Sequence, residues 1–200
     1  MITLAHRVTH AIDAVARGEY EFALEDAAVA IDISAQRVAA ANRSSKANYK
    51  EFLERQFWLV ELMALNGIAI PESVFGNVEV SGIKGPAKFS DIIYHLVRCG
   101  LVHSTGLPAS VRFEDCRGVF LADNLIVLPS QVLWGLLAAV VFAPTNAGEQ
   151  SEGDYFLECA GHRFRIADSW GKEDLIRPLY EAEVRTRVPL LIPRLGQNET

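Results

Sequence analysis

The sequence predicts a mainly α-helical fold, a helical bundle that carries a small β-hairpin elaboration in its C-terminal half. Three observations predict it. Alanine-rich stretches before residue 107 repeat apolar residues near period 3.6, while β-branched and aromatic runs gather beyond Pro108. Half of the 200 residues are apolar, enough for one ample core. The longest apolar run, Val132 to Ala143, falls well short of the roughly 20 residues a membrane span needs. Residues 1–107 are therefore expected to form the bundle core, and 108–200 to add hairpins and two helices on that same core, as a single compact domain.

Along the chain, Thr9 to Ala16 reads as helix, Gly18 interrupts, and "FALEDAAVAIDISAQRVAA" resumes with Phe22, Ala23, Ala27, Ala30, Ile31, Ala35 and Val38 near period 3.6, as two helices or one bent helix. The polar "NRSSKAN" breaks the pattern. Phe52, Phe57, Leu59, Val60, Met63 and Ala64 then mark a helix closing near Asn66-Gly67. Pro71 begins a loop, "FGNVEVSGIKGP" reads as a connection or a short strand pair, and Ser90-Asp91 leads into a helix containing "HLVRCGLVHS". Beyond Pro108, Val111–Phe113, Val119–Leu121 and Leu125–Leu128 predict a small hairpin with a turn at Asp123-Asn124. Ser130 is a cap candidate for a central helix, apolar almost all round, that stops before Pro144. A second hairpin turns at Ala160-Gly161, with Arg163 and Arg165 on one face and Phe164 and Ile166 on the other. Residues 174–184 can form a last helix that Pro178 would kink or delay, and the tail from Pro189 is expected to be extended.

Composition narrows the function. The N-terminus, with His6, Arg7, His10 and Asp13, lacks the apolar stretch of a signal peptide, so no membrane partner is expected. Three cysteines at unrelated spacings make neither a disulfide framework nor a zinc knuckle, which implies a reducing, cytoplasmic home. A net charge of -6 supplies no global field for nucleic acid, so a polyanion would need a local basic cleft. Ser44-Ser45-Lys46 and Gly82 to Gly85 lack phosphate-loop spacing, and no cofactor is expected.

The chemistry-bearing residues gather in 94–103. On an ideal helix, at about 100° per residue, Phe89, Ile92, Ile93, Leu96, Val97 and Gly100 share a side, and Arg98 points away from it. His95, Cys99 and His103 form an adjacent stripe that could hold zinc but lacks a fourth ligand, and no metal site is expected. Gly100 would let a partner helix approach closely.

The segment from Arg98 to His103 fits an R-x4-H signature, and together with "ALEDAAVAIDISAQR" and "IIYHLVRCGLVHSTGLP" it resembles the HEPN domains (higher eukaryotes and prokaryotes nucleotide-binding) over roughly residues 18–107. The resemblance implies a helical bundle that forms a homodimer, and a metal-independent endoribonuclease or RNA-binding protein in stress or phage defence, with an antitoxin or regulatory protein as a further partner. It implies that Arg98 and His103 from both protomers line one cleft as the catalytic pair. Histidine titrates near neutrality and can move the 2'-hydroxyl proton, while a guanidinium matches a crowded, charged phosphorane. Tyr94 and His95 would contribute to substrate binding. Cys99 departs from the polar residue that many active members carry after the arginine, which points toward a non-catalytic member.

The same residues have plainer readings. A histidine at a helix C-terminus is favourable for the dipole alone, and arginines are enriched at interfaces without catalysis. On those readings the chain is a dimeric interaction or scaffold protein. Glu25, Asp26 and Asp32 suit a solvated face or a salt link to an arginine, Arg98 included. "GHRFR" is the one compact basic cluster, in which Arg163 and Arg165, with Phe164 and Trp170 near, could hold a phosphate backbone or stack a base.

Overall fold

Thr3 begins the first helix by accepting a hydrogen bond from the His6 amide on its side-chain oxygen, at 3.2 Å. This cap starts α1 (Leu4–Ala16) a full turn earlier than its apolar periodicity suggests. The computed structural model describes residues 3–65, 74–80, 83–103, 106–107, 110–116, 118–122 and 125–191. Gly18, with positive φ, separates α1 from α2 (Tyr20–Val38). Ser45 caps α3 (Lys46–Val60) by accepting from the Asn48 amide, at 3.1 Å, so the break expected across residues 42–48 ends inside that stretch. α3 runs on into a π-helical turn at Glu61–Leu65. The expected stop at Asn66-Gly67 and the loop at Pro71 lie outside the described residues.

The Gly-rich stretch is a strand pair, β1 (Val74–Val80) antiparallel to β2 (Ile83–Lys88). A helix follows in three parts: α4 (Phe89–Ile92), a π-helical segment Ile93–Arg98, and α5 (Cys99–His103). Next come β3 (Val111–Glu114), β4 (Phe120–Ala122) and β5 (Leu125–Pro129). β4 and β5 make the expected hairpin, whose turn at Asp123-Asn124 lies outside the described residues. β3, however, pairs in parallel with the other edge of β5. The physical reason is that β5 carries the buried Ile126 and Leu128, and the most apolar strand takes the centre.

α6 (Val132–Val141) is buried at nine of its ten positions, as an all-round apolar helix must be. Ser130 does not cap it through its side chain; its carbonyl instead accepts the Tyr20 hydroxyl. α6 packs on α2 and α3. A Cβ built at Gly135 would sit 2.7 Å from the Val60 Cα, so glycine is what lets α6 approach α3 this closely. One core cluster therefore joins both halves of the chain, from Leu4 and Leu24 to Leu136, Phe142 and Ile176.

A polar joint ties α1 and α2 to the segment after α6. Asn146, fully buried in the short 3-10 turn Pro144–Asn146, donates to the Ser34 hydroxyl at 2.9 Å and the Val140 carbonyl at 2.8 Å, and accepts from Arg37 at 3.0 Å. Arg37 pairs with Glu149 at 2.5 Å, and the second Glu149 oxygen accepts the Ala5 amide at 3.0 Å. The second hairpin is β6 (Phe156–Cys159) with β7 (His162–Arg165), turning on Ala160 and Gly161, both at positive φ. Ile166 leaves the strand and begins the short α7 (Ile166–Ser169), where it is buried. α8 (Glu173–Leu191) starts ahead of Pro178 and carries that proline internally, and residues 189–191, expected to be extended, belong to it. Pro178 lies in the helix's second turn, and Arg177 and Tyr180 beside it anchor α8 to Trp58 and Glu61. Residues 192–200 of the tail lie outside the described residues. Among the described residues, no helix is long and apolar enough to cross a membrane.

Candidate functional site

α2, α3 and the π-helical segment bring together a set of polar side chains that the linear sequence keeps far apart. Arg98 is the centre. Its Nε donates to Asp32 Oδ2 of α2 at 3.1 Å, with the two side chains only 19% and 14% exposed. The Arg98 guanidinium also lies 5.6 Å from the Tyr94 ring centroid. The ideal-wheel expectation that Arg98 points away from its own bundle is thus corrected. A π-helical segment bonds i to i+5, so its residues advance less per position than in an α-helix, and Arg98 comes round to meet α2.

Burial works against the charge on Arg98, but the adjacent Asp32 carboxylate outweighs it and holds the guanidinium above its ordinary pKa. Two groups in this corner are buried and lack hydrogen-bond partners among the described residues, Asp32 Oδ1 and the Tyr49 hydroxyl. Burial first, and then the Asp32 charge, drive the Tyr49 pKa well above the ordinary tyrosine value, so it is a neutral phenol. Its ring stacks edge-on against Tyr94 at 5.4 Å.

α3 also reaches Tyr94 through its first residue. The Lys46 ammonium lies 5.7 Å from the Tyr94 ring centroid and donates to His95 Nε2 at 2.7 Å. This assigns His95 the tautomer with its proton on Nδ1. Burial and then Lys46 lower the His95 pKa, which keeps the imidazole neutral near pH 7. Lys50, one turn on, pairs with Asp91 of α4 at 2.7 Å. Lys46, Lys50 and Arg98 oppose Asp32 and Asp91, so this strip is locally basic in a chain of net charge -6.

The structure thus gathers Tyr94, His95 and Arg98. His103 closes α5, but its side chain lies outside the described residues, and so do those of Leu96 and Val97. Arg163 and Arg165 belong to a different surface, on β7. Arg163 lies 3.8 Å over Phe156 and pairs with Glu158 at 3.5 Å, and Arg165 pairs with Asp154 at 2.8 Å and Asp168 at 3.7 Å. Phe164 packs edge-on against Phe142, and Trp170 is buried with its indole donating to Ser151 at 3.3 Å. The stacking role expected of Trp170 is therefore corrected: α7 turns its ring into the core.

Asp26 is buried and accepts from Arg7 at 2.6 Å and from His10. Asp26 and Asp32 both make the salt links expected of them. Among the described residues, no three His, Cys, Asp or Glu side chains cluster as metal ligands. Sequence reasoning missed Lys46, Tyr49, Lys50 and Asp91. The signal for three of them was there, since Lys46, Tyr49 and Lys50 share one face at i, i+3 and i+4.

A protein-family model described as Rv1289 matches residues 3–193, and the chain belongs to that family. Two similar relatives are the uncharacterized protein Rv1289 of Mycobacterium tuberculosis and the uncharacterized protein Mb1320 of Mycobacterium bovis. Each is 33% identical over 108 residues, which cover 50% of this chain and 50% of the relative. Over that match the chain spans about half the length of these curated relatives. No solved structure matches.

Proposed function

We propose that this member of the Rv1289 family acts on RNA, as a HEPN-like, metal-independent endoribonuclease or RNA-binding protein in stress or phage defence. The observation that carries the reading is that the Lys46 ammonium and the Arg98 guanidinium each lie over Tyr94, 5.7 and 5.6 Å from its ring centroid. Two cations set about an aromatic ring suit a phosphodiester strand with its bases. Arg98 would hold the scissile phosphate and His103 would move protons. His95, kept neutral with its Nε2 held by Lys46, would help position that ammonium for a phosphate. The HEPN resemblance adds a homodimer in which two copies share the cleft and control by an antitoxin or regulatory protein, and the cysteine usage adds a cytoplasmic setting.

One observation favours a second reading. The Asp32 carboxylate already occupies Arg98 Nε, and Cys99 follows it where active HEPN members carry a polar group. On this reading the chain is a non-catalytic dimeric interaction or scaffold protein, and Arg98 fastens the π-helical segment to α2.

Incubation of the purified protein with labelled RNAs in EDTA separates the two. Cleavage that disappears in His103→Ala and Arg98→Ala variants of unchanged circular dichroism supports the nuclease. RNA retention without cleavage, weakened by Lys46→Ala, supports the binding protein. Absence of both in a protein that sediments as a dimer supports the scaffold.

A further inference from the structure

Away from Arg98, a cavity of about 460 Å³ opens among α1, the π-helical turn after α3, α6 and the second hairpin. Its size falls in the range of small-molecule sites, about 300 to 1,000 Å³. Ile12, Met63, Trp134, Tyr155 and Phe156 supply the apolar lining, and Asp154, Glu158 and Arg163 the polar one. Three aromatic rings from two elements around one cavity, with two carboxylates against one guanidinium, are a specific chemical environment. We propose that this cavity binds a small organic cation, an alkyl- or methylammonium group, held by Trp134 and Tyr155 beside the Arg163-covered ring of Phe156, with Asp154 and Glu158 at its mouth.

The walls are fixed by contacts among the protein's own side chains. The Tyr155 hydroxyl donates to Asp13 Oδ2 at 3.0 Å, which ties the ring to α1. Donation to a carboxylate also enriches the ring in electrons and strengthens its pull on a cation. The cavity already shows its preference, since the Arg163 guanidinium lies 3.8 Å from the Phe156 ring centroid. Arg163 shares Glu158, and Arg165 reaches Asp154 from outside the lining. Within the lining Asp154 and Glu158 stand against Arg163 alone, and Arg165, which reaches Asp154, is shared with Asp168, so the surroundings stay acidic. An anion would meet that excess of carboxylate, and an uncharged apolar ligand would leave it unused.

Trp134 also provides the readout, because Trp58 and Trp170 are buried in the core while Trp134 lines the cavity. The 200-residue chain is titrated with choline chloride, and separately with its uncharged tert-butyl isostere, at constant ionic strength. The proposal expects a saturable change in tryptophan fluorescence with choline, and binding of the isostere weaker by about tenfold. Asp154→Asn and Glu158→Gln, both on exposed side chains, should each weaken choline by about threefold and leave the isostere unchanged. Trp134→Leu should abolish choline binding measured by calorimetry, and if that variant does not fold, the two carboxylate variants decide. Equal affinity for choline and the isostere overturns the proposal, as does no saturable response to choline, or choline binding indifferent to both carboxylate variants.

Discussion

Arg98 and Asp32 lie 66 positions apart in the chain, and their 3.1 Å ion pair joins the π-helical segment to α2 beneath the ring of Tyr94. Because both side chains are mostly withdrawn from solvent, removing one leaves the other desolvated and uncompensated. Asp32→Asn and Arg98→Met should each cost about 1 to 3 kcal/mol in urea denaturation. The double variant should lose less than the sum, since the two substitutions remove a single interaction. Additive losses would show that the pair contributes nothing as a pair.

The lowered pKa of His95 makes stability pH-dependent in a definite direction. The unfolded imidazole titrates near its ordinary value of about 6.5, whereas the folded one stays neutral to lower pH. Between those two pKa values the unfolded state binds more protons, so stability falls as pH drops below about 6.5 and levels off beneath the folded pKa. An NMR titration of the His95 ring should give a midpoint below 6.5, and Lys46→Met should raise it. A midpoint unmoved by that substitution would mean that burial, with Asp91 and Lys50, sets it without Lys46.

Gly135 is where α6 touches α3. The Cβ of Gly135→Ala would have to push aside Val60 backbone, which cannot rotate away as a flexible side chain would. Overpacking of this kind costs about 1 to 3 kcal/mol. For a chain of this size that is a fall of roughly 3 to 10 °C in Tm. Differential scanning calorimetry reads it directly, and an unchanged Tm would mean that the two helices can separate freely.

The three cysteines are free thiols of unequal reactivity. Burial, and then the charge of Glu183, push the Cys159 thiol up to about 11, so almost none of it is thiolate at neutral pH. Brief alkylation at pH 7.5 followed by mass spectrometry should leave Cys159 unlabelled while the half-buried Cys99 and Cys116 react. Early labelling of Cys159 would indicate that the β6–β7 hairpin opens.

Helical elements with a strong apolar face were legible in the sequence: α2, α6 and the long helix around residue 98 stand where their period places them. The errors fall where tertiary contacts override local pattern. Periodicity could not reveal the first turn of α1, which depends on the Thr3 cap. Nor could it reveal that β5 would be shared between two neighbours, because the pairing partner of a short strand is set by burial elsewhere. At the site, a wheel drawn at constant pitch sent Arg98 to the wrong side, since nothing in "IIYHLVRCG" marks where the helix widens. The cavity was equally hidden, because Ile12, Met63, Trp134 and Tyr155 meet only after α1, α3 and α6 have packed.

That local widening amounts to one residue more than a regular helix would hold over the same length. Excising a single residue from 93–98 would restore even winding and leave α4 and α5 in place, because the widened turn absorbs the extra residue. Only side chains within the segment, Tyr94 and His95 among them, would change direction, by up to about 100°. The facing of this segment toward any second molecule is thus governed by chain count as well as by the identity of its side chains.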